Sequence, residues 1–333
     1  MDPNSRVDVI ATTISGSIKD WGKVKRIVPL FQEHGFTNVS LHTADSHLEA
    51  RKQTNAVLAD GCRIVISAGG SGTFNAVLEG CCDSGVSLRD VRLGFLRKGS
   101  ADLLGKVLGM PDEIEAAIST FVESIASNRT MACDVILAGS GAGDTEPRHF
   151  VGYGGAEIFG RIPHYTENRF IKYYKGVLGQ IFGDLGPFTT GMVLASMEKV
   201  LKTPFRRKRV WKIRLDRQVV SEGIYQALIV VNGYLGRDLP YSYEPLGSGS
   251  IYLFALKDIG LSELLRQAKQ ARSGSIMDDP ERWGMESFAS SELLELEPSG
   301  VAPFPVNVDG ATLICSKKVR FKIVDQIRLI SRD

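Results

Sequence analysis

The sequence is poor in the residues that staple or metallate a fold. Its five cysteines, Cys62, Cys81, Cys82, Cys133 and Cys315, are odd in number and show no Cys-x-x-Cys spacing. That excludes a disulfide framework or a zinc ribbon and points to a reducing compartment. Charge of one sign is lacking too: 40 Lys and Arg against 38 Asp and Glu leave +2, too small a surplus to track a nucleic-acid backbone. No apolar run reaches the roughly 18 residues that a membrane-spanning helix needs. Met1–Asp8 lacks the basic-then-apolar pattern of a secretory signal. These absences predict a cytoplasmic protein with no nucleic-acid partner. No internal repeat or low-complexity tract is present, and nothing sets an oligomeric state. At 333 residues, 43% apolar and 23% charged, the chain has material for two cores.

What is present is an abundance of glycine at one place. Arg63–Ser67 reads as a buried strand, Gly69, Gly70 and Gly72 as a tight turn, and Thr73–Val77 as the first turns of a helix. Glycine lets the backbone approach a ligand closely. A helix start offers unpaired N–H groups and a positive dipole end to a phosphate. A second strand follows at Leu93–Leu96, then a small-residue turn at Gly99, Ser100 and Ala101 and a helix ending at Gly109-Met110-Pro111. Turns at the carboxyl ends of strands are where an open α/β sheet places its ligand.

Up to Ser127 the pattern alternates strand and helix: Val7–Thr12, a helix ending at Gly35, Asn38–Thr43, a helix over Ser46–Ala59, and a helix opened by Pro111. Such alternation predicts parallel strands with helices on both faces. Beyond Ser127, short strands separated by polar turns predict an antiparallel region: Met131–Leu137, His149–Tyr153, Val210–Asp216, Gln226–Asn232, Ser250–Leu256, Leu293–Glu297 and Val306–Val308. Residues 169–182 read as an amphipathic helix, and Val319–Leu329 as a last strand returning to the first domain. The predicted organisation is an α/β domain, 1–128 completed by 318–333, and a β-rich domain, 129–317. The basic cluster Arg206–Arg209 is either a solvated strand edge or a contact for an anionic membrane surface, at about 1 kcal/mol per basic residue.

Five blocks carry a resemblance. They are Gly69-Gly70-Ser71-Gly72-Thr73-Phe74-Asn75-Ala76-Val77; Gly99-Ser100-Ala101-Asp102 with Leu108-Gly109-Met110-Pro111; Val9–Gly16; Ile229–Gly233; and Val306–Gly310. In kind, order and spacing they resemble the catalytic domain shared by diacylglycerol, sphingosine and ceramide kinases, whose fold is related to NAD kinase. The resemblance implies an open parallel α/β sheet followed by a β-rich domain. It also implies ATP and Mg²⁺ as cofactors, a lipid as acceptor, and transient contact with the inner face of a membrane. Carried over by position, Thr12, Thr13, Gly69, Gly70, Ser71, Gly72, Thr73, Asn75, Lys98, Gly99 and Ser100 belong to the nucleotide. Asn232, Asp238, Glu244 and Glu157 belong to the acceptor, and Asp309, Glu157 and Asp102 are the candidate catalytic acids.

The chain departs from that family where chemistry needs acids. Phosphoryl transfer requires charge neutralisation and a carboxylate to receive the hydroxyl proton, and magnesium takes one or two carboxylates plus phosphate oxygens. Here Ser71 replaces the acid of the first turn, Ala76 and Ala311 replace glutamates, and Leu246–Gly249 stands where the family has Asp-Asp-Gly. No metal ligand set is legible. Asp309 alone survives in place, within an Asp-Gly dipeptide that also favours a plain hairpin turn. Three functions follow: a lipid kinase with an atypical site, a catalytically silent relative that binds nucleotide or lipid, and a kinase of a soluble acceptor such as NAD.

Overall fold

The computed structural model describes residues 5–13, 21–97, 103–140, 146–167, 194–196, 208–236, 239, 241–260, 263–300 and 302–333. In chain order the elements are β1 (Val7–Thr12), α1 (Trp21–Glu33), β2 (Val39–Ala44), α2 (His47–Ala59), β3 (Ile64–Gly69), α3 (Ser71–Asp83), β4 (Arg92–Arg97), α4 (Leu103–Val107), α5 (Ile114–Ala126) and β5 (Thr130–Gly139). Then come β6 (Arg148–Phe150), β7 (Tyr153–Glu157), α6 (Ile158–Glu167), β8 (Trp211–Leu215), β9 (Gln218–Gly223), β10 (Tyr225–Val231) and β11 (Ile251–Lys257). The last are α7 (Leu264–Ser273), β12 (Met285–Ser290), β13 (Leu294–Pro298), β14 (Phe304–Val308), β15 (Ala311–Cys315) and β16 (Val319–Ile330). The chain forms two compact units: residues 1–135, 246–248 and 324–333, and residues 136–245 and 249–323. The predicted helix at 169–182 lies outside the described residues.

In the first unit β2, β1, β3 and β4 pair in parallel in that order, and the end of β16 adds in parallel through Arg328↔Arg92 and Leu329↔Leu93. All six residues of β1 and of β3 are buried, the signature of strands covered by helices on both faces. Helix α2 packs on α3 and α1 on α5. Glycine permits the first contact: a Cβ on Gly80 would stand 2.4 Å from the Arg51 carbonyl oxygen. The α5 helix starts at Ile114 rather than at Pro111. Gly109 at φ +69 closes the α4 turn, and Glu113 holds the extended conformation of an N-cap (φ −77, ψ 131).

One buried charge in this sheet has a measurable consequence. Asp8, fully buried on β1, meets Arg6 Nε at 2.7 Å and His42 Nε2 at 2.6 Å. Burial pushes its carboxyl up, but hydrogen bonds from His42, Cys62 and Arg6 outweigh burial and hold it below the ordinary aspartate value. A carboxyl lowered in the folded state adds stability above its unfolded pKa and loses it as pH falls through the folded value. Stability should therefore drop below about pH 4. Asp8→Asn should be less stable at pH 7 and show a shallower acid limb in denaturant titrations at pH 7 and pH 3.

The second unit is antiparallel. One sheet runs β12-β11-β10-β7-β14-β15; β9, β8, β13 and the start of β16 form another layer. Trp211, Ile213, Leu294, Leu296 and Phe321 from one layer and Leu228, Val230, Leu253, Val306 and Val308 from the other share a single core. Four strands escape the sequence pattern: β7, β9, β12 and β15. Most of β9 is exposed, so no apolar alternation marks it, and β15 follows β14 after only Asp309 and Gly310.

Candidate functional site

The strand-turn-helix of the first unit is built as a cradle. Gly70 is the N-cap of α3 in an extended conformation (φ −92, ψ −174) and supplies no side-chain cap. Its carbonyl accepts from the Thr73 and Phe74 amides at 3.0 and 3.1 Å, so Ser71 and Gly72 are the positions whose N–H groups precede the first intrahelical bond. Helix α2 is the contrast. Ser46 Oγ accepts from the Glu49 amide at 3.1 Å, and Glu49 Oε2 accepts from the amide of Asp45, one residue before the cap, at 2.7 Å, so side chains close that end.

The glycines differ in what they permit. A Cβ on Gly69 would fall 2.8 Å from Thr73 Cβ, and one on Gly72 would fall 2.8 Å from the His47 ring. A Cβ on Gly70 would meet nothing within 4 Å. Two are therefore packing glycines and the third faces open space. Behind the turn, the buried Thr12 and Thr73 hydroxyls pair at 2.6 Å, locking β1 to α3. Thr13 Oγ1 donates to Asp45 Oδ1 at 3.1 Å. The two threonines thus shape the cradle, Thr12 through Thr73 and Thr13 through Asp45. Ser71 is exposed at the first helical position and Asn75 is buried one turn on. The sequence reading missed His47. The Ser46-x-x-Glu49 pattern was the available signal, because it fixes His47 as the first residue of α2 at the carboxyl end of β2.

In the second unit three predicted site residues converge on one segment, 151–157. Asp309 Oδ2 accepts from the Val151 and Gly152 amides at 3.0 and 3.1 Å, and its Oδ1 accepts from the Tyr153 amide at 2.7 Å. Asn232 Nδ2 donates to the Val151 carbonyl at 2.8 Å, and its backbone N–H donates to the Gly152 carbonyl. Glu157, at φ +59, accepts from Trp211 Nε1 at 2.9 Å. Burial pushes the Asp309 carboxyl above its usual value; the amides of Tyr153, Val151 and Gly152 pull it back. With Asp309 at φ +45 and Gly310 at φ +85, the dipeptide is a two-residue hairpin turn whose side chain staples 151–153. This geometry gives the Asp309 carboxylate a structural task.

Glu244 is exposed. Lys98, Gly99, Ser100, Asp102 and Asp238 lie outside the described residues. Leu246–Ser248, where the resemblance implies two acids, lies against β5: a Cβ on Gly247 would stand 2.7 Å from the Ala132 carbonyl oxygen. Gln326 Nε2 donates to Asp134 Oδ1 at 3.1 Å and reaches the Gly247 carbonyl at 3.5 Å, so an amide nitrogen joins the two there. Among the described residues no group of three or more His, Cys, Asp or Glu side chains is placed to hold a metal. Of the basic cluster, Lys208 pairs with Asp258 at 2.8 Å, and Arg209 donates to the Ala302 and Pro303 carbonyls. Arg206 and Arg207 lie outside the described residues. Among the described residues no helix is long and apolar enough to cross a membrane.

Residues 6–137 match the family model of the diacylglycerol kinase catalytic domain. A diacylglycerol kinase from Bacillus anthracis str. Sterne superposes with a TM-score of 0.64 at 16% identity, over 99% of this chain and 98% of that one. An NAD kinase from Archaeoglobus fulgidus, solved in complex with ATP, superposes with a TM-score of 0.52 at 10% identity, over 98% of this chain and 94% of that one. Comparison with curated proteins finds no match. The motif resemblance is borne out over the first domain, and the fold is that of the diacylglycerol kinase and NAD kinase structures.

Proposed function

We propose, from the diacylglycerol kinase catalytic domain match over residues 6–137, that the chain binds ATP by its phosphates at the α3 cradle and acts as a lipid kinase. Its acceptor would be a hydroxyl of a diacylglycerol- or sphingoid-like lipid. The observation that carries this reading is the uncapped N-terminus of α3, with free space at Gly70 where a Cβ would stand. Bound ATP supplies the transferable phosphoryl group. The Ser71 and Gly72 amides and the helix dipole would hold its phosphate oxygens, and the Thr12–Thr73 pair keeps the turn in place.

Magnesium does not fit the described acids: Ser71 offers no carboxylate, and the Asp309 carboxylate is spent on backbone amides. No step is therefore assigned to it. The same commitments mean that a carboxylate other than Asp309 receives the lipid hydroxyl proton. Asp102, Asp238 and Glu244 are the acids to test.

A second reading, a binding protein without turnover, is favoured by that engagement of Asp309 and Glu157. Transfer of label from γ-labelled ATP to a total lipid extract separates the readings. A labelled lipid supports the kinase. Nucleotide binding without label supports the silent relative, and label on NAD instead identifies a soluble acceptor. Ser71→Asp gives a sharper test, because it puts a carboxylate at the mouth of the cradle. Magnesium-dependent nucleotide affinity should rise about tenfold, about 1.4 kcal/mol, in titrations with and without the metal. An unchanged affinity would mean that residue 71 is not where the family's acid acts.

A further inference from the structure

The amino ends of the parallel strands in the first unit carry a feature that phosphate binding at the cradle does not use. Arg92 opens β4 and lies in register with Arg328 on the neighbouring strand β16. Like charges directly opposite on adjacent strands are destabilising. Burial and the Arg328 guanidinium together push Arg92 below the ordinary arginine value. A third guanidinium, Arg89, stands on the short 3₁₀ turn just before β4. With Arg328, Gln326, Thr130 and Ala132 it lines a cavity of about 350 Å³.

Negative charge is thin around Arg89 and Arg328. Asp325 reaches Arg89 only at 3.8 Å, beyond hydrogen-bond distance. Among the described residues Arg328 makes no ion pair. Thr130 and Gln326 are the polar neighbours of the arginines in the cavity wall, and Gln326 Nε2 is held by Asp134. Arg92 pairs in register with Ile64, the first residue of β3, whereas the cradle follows Gly69, the last. The two places are at opposite ends of the same strands.

We propose that Arg89, Arg92 and Arg328 form a second anion site, separate from the cradle, that takes a phosphomonoester group. Planar guanidinium forks match phosphate oxygens in pairs, and a bound dianion would turn the Arg92–Arg328 repulsion into a shared attraction. The cavity is larger than a phosphate ion, leaving room for the group that carries it. That group is either a small soluble molecule or the headgroup of an acidic phospholipid.

The test uses the full chain at constant ionic strength. Inorganic phosphate and glycerol 3-phosphate should raise the melting temperature of the wild type saturably, where chloride does not. Arg328→Gln should melt no lower than wild type without ligand, because it removes the repulsion. It should also bind phosphate at least about tenfold more weakly, as expected for loss of a charge-assisted contact. Arg89→Gln, on an exposed turn, should weaken phosphate in the same way without altering the sheet. Gly70→Ala should keep this phosphate response, which separates the site from the cradle whether or not the kinase reading holds. Sedimentation with phosphatidylcholine vesicles containing phosphatidic acid distinguishes the sources. Binding lost in Arg328→Gln and competed by phosphate identifies the headgroup; no vesicle binding alongside a retained phosphate response identifies a soluble ligand. A phosphate response unchanged in both arginine variants, or matched by chloride, would overturn the proposal.

Discussion

Asp309→Asn should lower the unfolding free energy by on the order of 3 kcal/mol, and Asp309→Ala by more. Both carboxylate oxygens are occupied, by the amides of Val151 and Gly152 on one and of Tyr153 on the other. Asparagine keeps the turn, since it tolerates the left-handed conformation that position 309 requires (φ +45). It must, however, turn an NH₂ group toward a buried N–H, and an unsatisfied buried donor costs roughly 1–3 kcal/mol. Alanine leaves all three amides unanswered and adds the cost of a left-handed residue, about 1–2 kcal/mol. Gly152 offers no relief, because its Cα side lies against Asp309: a Cβ there would stand 2.5 Å from Oδ1. Denaturant unfolding of the three proteins without nucleotide checks the ranking. A catalytic base in this place would give the opposite pattern, unchanged stability with a rate loss of about 10²–10⁴.

Asp309 also shows where a sequence can mislead. Its dipeptide is equally the mark of a hairpin turn and of a motif acid, and the deciding fact is which backbone amides face the carboxylate. Those amides are some 150 residues earlier, in a segment whose approach depends on β7 pairing with β14. No local pattern carries that. Asn232 and Glu157 are ambiguous for the same reason: the β7–β10 pairing brings Val151 to Asn232, and the stacking of the two layers brings Trp211 to Glu157. The first unit is legible because its signals are local. Strand burial, glycine turns and helix caps lie within a few residues of one another, so β1, β3, α2 and the cradle follow directly from the chain. What the sequence could not show there is the division of labour among Gly69, Gly70 and Gly72, which depends on Thr73 and on His47 from another helix. Nor could it show that Arg92 and Arg328 would share a register.

That division of labour sets the second large effect. Gly70→Ala should change stability by no more than about 1 kcal/mol, the loss of an N-cap glycine offsetting the narrowed unfolded ensemble, while weakening nucleotide binding tenfold or more. The stability half follows from the backbone. At φ −92 an L-residue is unstrained, nothing lies within 4 Å of the added methyl, and removing a glycine narrows the unfolded ensemble. The affinity half follows from where that empty space is. It opens at the uncapped start of α3, so the methyl takes up room that phosphate oxygens need to reach the amides, and it holds them off at a distance where the helix dipole is weaker. Gly69→Ala is the paired control: its Cβ would collide with Thr73, break the Thr12–Thr73 hydrogen bond and cost about 1–3 kcal/mol through overpacking. Melting curves combined with titration of a non-hydrolysable ATP analogue separate the two variants. If Gly70→Ala binds the analogue as tightly as wild type, the nucleotide does not sit on α3, and a phosphate role for this turn fails with it, leaving its glycines to packing alone.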